Sequence, residues 1–218
     1  MNISGNRDFT GEVLRYLGYN NTQADDRVSR HITQISAELA ANINEKNTYD
    51  IFNCQISNNT VMINNIKIIS KNMARCLKNC SHIALLAATL GTEADIILRR
   101  YKTLDMEKAL IAHAVCTVMI EQYCDTVVDI IMSNPELSGL LPTLRFSPGY
   151  GDFDIMYQKD IIRILDCENS IGLTLTKGYM LVPSKSVTAL TGFSNEKYEN
   201  INKCEQCANM QCGFRRVR

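Results

Sequence analysis

The chain has 218 residues, 45% of them hydrophobic and 21% charged, a balance typical of one soluble globular domain with a substantial core. Lysine plus arginine and aspartate plus glutamate number 23 each, so no net charge attracts nucleic acid or an anionic membrane, and neither partner is expected. The longest clean apolar run, Ile83 to Leu90, is far too short to span a bilayer.

The first seventy residues contain one helical pattern and then several strand patterns. Apolar residues spaced three and four positions apart predict an amphipathic helix that begins near Asp25 or Asp26. Its apolar positions are Val28, Ile32, Ile35, Leu39 and Ile43. Residues 49–69 place isoleucine and valine around two Asn-Asn pairs, which predicts short strands joined by turns.

The middle of the chain predicts a buried strand between helices. Ser70 is expected to cap a short helix, and the apolar run 82–90 predicts a strand buried on both faces. A short helix is expected over 92–100. The longest helical pattern, 105–133, has Asp105 as N-cap, lacks proline and glycine, and stops before an Asn-Pro pair. It is apolar around most of its circumference, which predicts a central, mostly buried helix.

The last third predicts a helix over 154–165 and strands over 171–193, with breaks at Gly178 and Pro183. Helices and strands do not alternate regularly, so the sequence favours an α+β fold with a twisted, mainly antiparallel sheet and packed helices. We expect a single domain over residues 1–200, followed by a cysteine-rich C-terminal tail over 201–218.

The segment Arg-Phe-Ser-Pro-Gly-Tyr at 145–150 predicts a turn with ligand-binding groups. Pro148 presets the second position of a type II turn, and Gly149 provides the positive φ of the third. Arg145 offers a planar donor for a carboxylate, and Tyr150 offers an aromatic face with a hydroxyl. A ligand with a carboxylate, a cationic group and an aromatic part would suit such a loop. The alternative is an ordinary Pro-Gly turn beside a surface arginine.

Several segments in order carry a family resemblance. Arg145, Gly149 and Tyr150 match the Arg-x-x-x-Gly-Tyr signature of the activation domain of cobalamin-dependent methionine synthase, and the block from Leu175 to Val187 and the opening 12–19 resemble the same domain. The resemblance covers most of residues 10–200. It implies that the loop, including Ser147, holds S-adenosylmethionine. Gly151 departs from the pattern, since some members have proline there.

The second candidate for ligand binding is a stripe of polar residues along the long predicted helix. His113, Thr117, Glu121, Asp125 and Asp129 follow one another at four-residue steps and share one face. The stripe is either the solvent-facing side of a buried helix or the wall of a cleft. The resemblance implies a cofactor-binding glutamate on this helix. Glu121 is the best match and Asp125 the competitor.

Two further sites are expected after the second strand block. The resemblance implies a cofactor-contacting tyrosine, matched here by Tyr198 across a shorter loop; a tail tyrosine without a role is the alternative. Lys185 and Ser186 lie in a turn after Pro183, where they either face the cofactor or the corrinoid or form only a structural turn. The other cysteines, outside the tail, are read as core residues.

The tail carries Cys204, Cys207 and Cys212, followed by three arginines. Thiolates at this spacing suit a soft metal ion or cluster, either zinc or iron–sulfur; thiol redox chemistry and incidental cysteines are the alternatives. Nine cysteines in all, with no apolar signal segment at the N-terminus, favour a reducing, cytoplasmic location.

The resemblance implies an accessory role in reactivating methionine synthase. In that family, cobalt that has fallen to cob(II)alamin receives one electron and then the methyl group of S-adenosylmethionine. No cobalamin-, folate- or homocysteine-binding module is recognisable here, so a cobalamin-binding subunit of methionine synthase and a reductant protein are expected as separate partners. The chain is not expected to have a self-contained active site. The alternatives are a metal-binding or electron-transfer interaction protein and an activator of another corrinoid methyltransferase.

Overall fold

A computed structural model describes residues 8–19 and 25–196. These residues form helices α1 to α7, with bounds Phe9–Tyr16, Asp26–Asn42, Lys71–Cys76, Thr92–Leu104, Met106–Met132, Gln158–Ile164 and Cys167–Ile171. They form strands β1 to β9, with bounds Lys46–Asn53, Gln55–Ser57, Thr60–Ile63, Ile66–Ile69, His82–Thr89, Leu141–Pro142, Thr174–Leu175, Leu181–Val182 and Ser186–Ser194. Short 3-10 helices cover Pro135–Leu137 and Ile155–Tyr157.

The centre of the fold is an antiparallel sheet in the order β1-β5-β9-β6. Strand β5 is buried on both faces because successive side chains point to opposite sides. Ala84, Leu86 and Ala88 face the core formed with α1, α2, α4 and α5, whereas Ile83, Leu85 and Ala87 face the core formed with α3, α6, α7 and the sheet β2–β4. The expected buried strand is therefore confirmed.

Helix α5 packs across the first of these faces. Asp105 caps it by accepting a hydrogen bond from the backbone N–H of Lys108 at 3.2 Å, and the helix continues for 27 residues to Met132. Twelve of its residues are buried, so the predicted central helix is confirmed. Asp25 caps α2 and Ser70 caps α3, as the sequence indicates.

The second face carries the smaller elements. Strands β2–β4 form a three-stranded sheet whose two turns place Asn58 and Asn64 at positive φ, as expected from the paired asparagines. The predicted helix over 154–165 divides into the 3-10 turn 155–157 and α6, and α7 was not expected. The α+β class with antiparallel sheets and packed helices is confirmed. Within the described ranges, none of the helices has the length and hydrophobicity required to cross a membrane.

Candidate S-adenosylmethionine site

Arg145 reaches helix α5 because its neighbour is fixed to the central sheet. Phe146 exchanges two 2.8 Å backbone hydrogen bonds with Leu190 of β9 and packs its side chain into the second core. Adjacent residues of an extended segment point to opposite faces. The side chain of Arg145 therefore lies on the α5 side of the sheet, where it is 17% exposed.

Two carboxylates of α5 converge on this guanidinium. Nη2 of Arg145 lies 2.7 Å from a carboxylate oxygen of Glu121 and 3.0 Å from one of Asp125. Glu121 and Asp125 are one helical turn apart, which is the spacing that places two side chains on the same face. The site brings the predicted glutamate and its competitor together on one arginine. The cluster formally carries one negative charge.

The turn after Arg145 has the geometry that its sequence predicts. The N–H of Tyr150 donates to the carbonyl of Ser147 at 3.3 Å, and Gly149 adopts a φ of +92°. A Cβ at Gly149 would also lie 3.1 Å from the side chain of Ile155, so both conformation and space favour glycine there. The ring of Tyr150 is 72% exposed, which leaves this side of the site open to solvent.

Asp152 fastens the same loop to α3, a role that the sequence analysis did not assign. Its carboxylate accepts from the hydroxyl of Ser70 at 2.6 Å and from the N–H groups of Lys71 and Asn72 at 2.7 and 3.2 Å. Burial alone would raise the pKa of Asp152, but the hydrogen bonds from Ser70 and the two N–H groups lower it below its usual value. The contact joins residues 82 positions apart, so no local pattern could have revealed it.

Lys185 covers the other end of the stripe on α5. Its ammonium donates to Oγ1 of Thr117 at 3.1 Å and to the carbonyl of His113 at 3.2 Å. Burial lowers the pKa of Lys185, and burial together with Lys185 lowers the pKa of His113. The face of α5 predicted as one stripe therefore lies beneath two cationic side chains, Arg145 and Lys185.

Ser186 belongs to the turn instead of the stripe. Its hydroxyl lies 2.7 Å from Oγ1 of Thr89 and from the carbonyl of Pro183. Ser184 is held in turn by Asp95 of α4, which accepts from its N–H at 2.9 Å and from its hydroxyl. Of the two alternatives left open for Ser186, these contacts favour a structural turn.

The remaining predicted residues, Tyr198 and the tail cysteines Cys204, Cys207 and Cys212, lie outside the residues that the structure describes. Across 8–19 and 25–196, no group of three or more histidine, cysteine, aspartate and glutamate side chains is arranged to hold a metal ion.

Together these features define an α+β domain with a cluster of one arginine and two carboxylates beside a glycine turn. One solved structure, titled as the crystal structure of the MetH reactivation domain bound to AdoHcy, matches with a TM-score of 0.60 over 85% of this chain and 76% of that chain. The two sequences are 11% identical, so this likeness concerns the fold. No curated protein sequence matches the chain.

Residues 73–212 match the family described as the activation domain of vitamin B12-dependent methionine synthase. The match covers more than half of the chain, and the chain belongs to this family. The resemblance expected from Arg145, Gly149 and Tyr150 is thereby confirmed at the level of the family.

Proposed function

We propose that this protein binds S-adenosylmethionine at the Arg145 cluster and supports the reductive methylation of cobalamin on a partner methionine synthase. The observation that carries the proposal is the meeting of Arg145, Glu121 and Asp125 at the start of the Gly149 loop, in a chain of the activation-domain family. That a related domain is titled as bound to AdoHcy, the demethylated product of S-adenosylmethionine, supports the same ligand class.

The charges of the cluster complement those of the ligand. S-adenosylmethionine has a sulfonium, an ammonium and a carboxylate, and therefore one net positive charge, opposite to the formal charge of the cluster. Arg145 would hold the ligand carboxylate through its planar fork, and Glu121, with Asp125 as competitor, would face a cationic group. Ser147 and Gly149 would contribute backbone groups, and Tyr150 and Tyr198 would line the pocket.

Placement is the contribution that such a site makes to the reaction. The sulfonium is an excellent leaving group, and cobalt reduced by one electron is a strong nucleophile. Methyl transfer therefore leaves methylcobalamin on the partner and S-adenosylhomocysteine as the other product. No acid or base is needed from this chain. Holding the methyl donor in one position against the partner's cobalamin supplies the proximity term of catalysis.

An apolar surface around the loop suits the docking of that partner. Ile155 contacts the Gly149 turn, while the side chain of Gln158 donates to the carbonyl of Tyr179, which brings the β7–β8 hairpin beside the loop. Large apolar side chains here are well exposed, namely Tyr150, Ile155, Met156, Tyr179, Met180 and Val182. A cobalamin-binding partner seated on this surface would close the open side of the site.

The tail forms the second part of the proposal. Cys204, Cys207 and Cys212 would bind zinc or an iron–sulfur cluster, and a cluster would deliver the electron that cobalt requires, directly or from a reductant protein. The supporting observation is three cysteines within nine residues, beside Arg215, Arg216 and Arg218. A metal-binding interaction protein without S-adenosylmethionine is the rival that this feature favours.

Calorimetric titration under anaerobic conditions tests the ligand. S-adenosylmethionine should bind wild type saturably, and Arg145→Ala should bind it at least about tenfold more weakly, a loss of about 1.4 kcal/mol. Arg163→Ala is the matched control, because Arg163 is exposed and pairs with Asp160 on its own helix. Absence of binding to wild type, with and without a cobalamin-loaded methionine synthase module, would contradict the proposal and leave the metal-binding rival.

A reactivation assay then tests the partner. With cob(II)alamin-loaded methionine synthase module, a reductant and S-adenosylmethionine, wild type should accelerate the appearance of methylcobalamin absorbance. Met180→Asp should lower this rate without changing the affinity for S-adenosylmethionine, because Met180 is 65% exposed and lies outside the Arg145 cluster. If only a different corrinoid protein is methylated, the activator of another methyltransferase is the correct alternative.

A further inference from the structure

Lys185 is a half-buried cation that the Arg145 cluster does not use. Its Nζ donates to the carbonyl of His113 at 3.2 Å and to Oγ1 of Thr117 at 3.1 Å. Both partners are uncharged oxygens, and no carboxylate of the described residues lies within ion-pair distance of this ammonium. An ammonium has three N–H donors and no acceptor, so one donor is left over after these two contacts. A ligand atom that accepts a hydrogen bond would satisfy it.

The backbone around Lys185 is held in place on both sides. Its carbonyl accepts from the N–H of Leu90 at 3.0 Å, and the N–H of Ser184 donates to the carboxylate of Asp95 at 2.9 Å. Burial lowers the pKa of Lys185, which is the response of an ammonium withdrawn from solvent. Lys185 is therefore a preoriented donor beside α5 instead of a lysine that extends into water.

Lys185 and Arg145 lie over the same face of α5 but are too far apart to hold the same ligand group. Nζ of Lys185 contacts the carbonyl of His113, and Nη2 of Arg145 lies 3.4 Å from the carbonyl of Glu121. From residue 113 to residue 121 the helix rises about 12 Å, at about 1.5 Å per residue. A carboxylate held by Arg145 therefore cannot also reach Lys185.

The edge of β9 between these two cations is open. On one side β9 pairs with β5 over residues 186–193. The other side is covered by β6 near the end of the strand and by Phe146 at Leu190. None of the strands in the described part of the chain pairs with residues 186–189 on that side. The stripe on α5 runs beside this open edge, because both cations reach the stripe from β9 and the segment next to it.

We infer that Lys185 binds the nucleoside end of S-adenosylmethionine, whose amino-acid end lies at Arg145. The inference rests on the proposed function and extends its site by one turn of α5. S-adenosylmethionine is elongated, with a carboxylate and an ammonium at one end, a nucleoside at the other and the sulfonium between them. With the carboxylate at Arg145 and a cationic group at Glu121, a ligand extended along the stripe brings its nucleoside to Thr117 and Lys185.

The nucleoside offers Lys185 the same kind of partner that it has now. Ribose hydroxyl oxygens and adenine ring nitrogens are uncharged acceptors, and a hydrogen bond to them from an ammonium is charge-assisted. In the reverse orientation, with the ligand carboxylate on Lys185, the ligand ammonium would lie away from Glu121 and Asp125. The charges of the cluster therefore favour the orientation inferred.

Calorimetric titration with three ligands tests the inference. Decarboxylated S-adenosylmethionine lacks only the carboxylate, and methylthioadenosine keeps the nucleoside but lacks the carboxylate, the ammonium and the sulfonium charge. Lys185→Met keeps the apolar stem and removes the donor, so it should weaken the binding of S-adenosylmethionine and of both analogues by about tenfold. Arg145→Ala should weaken the binding of S-adenosylmethionine alone, because only that ligand has a carboxylate.

Two further variants and a stability measurement separate ligand binding from folding. Lys159→Met is the matched control, since it is the same substitution at an exposed lysine of α6, and it should change none of the three affinities. Lys185→Gln keeps a donor without the charge and should show a smaller loss for the same three ligands. Without ligand, Lys185→Met should unfold at a temperature no lower than that of wild type, because it removes a desolvated cation that has no carboxylate partner.

Unchanged affinity of Lys185→Met and Lys185→Gln for all three ligands overturns the inference, whereas binding that is lost in Arg145→Ala still supports the proposed site. A loss in Lys185→Met that is confined to S-adenosylmethionine places the carboxylate on Lys185 and overturns the inferred orientation. A wild type that does not bind S-adenosylmethionine, with and without a cobalamin-loaded methionine synthase module, overturns the proposed function and this inference together.

Discussion

The guanidinium of Arg145 lies 2.7 Å from the carboxylate of Glu121, although the two residues are 24 positions apart in the chain. The residue next to the Phe146 bridge is thereby joined to helix α5. The ion pair fixes the orientation of the arginine, and a preoriented side chain loses less entropy when a ligand binds. It also means that a ligand carboxylate must share Arg145 with protein carboxylates.

Arg145→Lys separates the charge of this residue from its shape. Lysine keeps the positive charge between Glu121 and Asp125 but lacks the planar fork that grips a carboxylate at two points. We expect Arg145→Lys to retain most of the stability and to lose about tenfold in affinity for S-adenosylmethionine. Arg145→Ala should in addition lower the free energy of unfolding by about 1–2 kcal/mol, because two carboxylates are left facing each other.

Urea unfolding and calorimetry on the same preparations check both statements. Equal stability of wild type and Arg145→Ala would show that the ion pairs contribute nothing to folding. Full affinity in Arg145→Lys would show that a point charge suffices.

Glu121→Gln and Asp125→Asn discriminate between the two candidate partners of the cationic ligand. Glu121 is the more exposed side chain, 42% against 24%, and so is the more available to a ligand. We expect Glu121→Gln to weaken binding of S-adenosylmethionine about tenfold, as one partly screened charge contact is lost, and Asp125→Asn to weaken it less.

Comparison with S-adenosylhomocysteine locates the contact, since that product lacks the sulfonium charge but keeps the ammonium. If Glu121 lies beside the sulfonium, Glu121→Gln should lower the affinity for S-adenosylmethionine alone. If Glu121 lies beside the ammonium, the affinity for both ligands should fall equally. A larger effect of Asp125→Asn than of Glu121→Gln would assign the role to Asp125.

Local sequence patterns predicted the elements that surround this site better than the contacts within it. The cap at Asp105, the buried run of β5 and the Pro148-Gly149 turn depend on neighbouring residues, and the structure confirms all three. The break of the predicted helix near Tyr157 and the separate helix α7 were missed. Asp166 adopts a positive φ of 44° immediately before α7. Aspartate also occurs within helices, and no glycine or proline marks this break in the sequence.

Contacts between distant residues required the fold. The ion pairs of Arg145 with both Glu121 and Asp125 depend on how the sheet packs against α5. The spacing along the helix shows only that the two carboxylates share a face. The sequence allows Lys185 to face the cofactor or the corrinoid or to form a structural turn, and the structure brings it to Thr117. Such pairings arise from tertiary packing, which periodicity does not encode.

Asp152→Asn tests whether the loop must be fastened to α3. One carboxylate oxygen of Asp152 accepts from Ser70 and the other from both Lys71 and Asn72, so an asparagine, which has a single acceptor oxygen, cannot accept from both sides at once. We expect a loss of about 1 kcal/mol in stability, as for the loss of a helix cap, together with weaker binding of S-adenosylmethionine because the turn at Gly149 is less well held.

The stability that Asp152 contributes should depend on pH with a definite sign. The pKa of Asp152 is lowered in the folded state, so its contribution is fully present above the unfolded value of about 3.9 and is lost as pH falls through the folded value. The stability difference between wild type and Asp152→Asn should therefore shrink below pH 4.

Asp154→Asn is the control: Asp154 caps the neighbouring 3-10 helix at Met156, so ligand affinity should not change. A loss of affinity in that variant equal to the loss in Asp152→Asn would contradict the role given to Asp152.

Buried thiols should make the protein less stable in alkali. Burial raises the pKa of Cys116 to about 11 and that of Cys167 to about 12, whereas a thiol in the unfolded chain titrates near 8.5. A raised pKa gives stability that is complete below the unfolded value and is lost as pH rises toward the folded value. At pH 10, ionisation of each of these thiols in the unfolded chain should therefore lower the free energy of unfolding by about 2 kcal/mol.

Urea unfolding with a phosphine reductant at pH 8 and pH 10 measures this loss. Cys167→Ala should lose about 2 kcal/mol less than wild type between the two pH values, because one titrating group has been removed. Val127→Ala is the control, since Val127 is equally buried but does not titrate, and its cost should be the same at both pH values. If Cys167→Ala and wild type lose equal stability between pH 8 and pH 10, the thiol at 167 ionises as readily in the folded protein as in the unfolded chain, and the buried environment assigned to it is wrong.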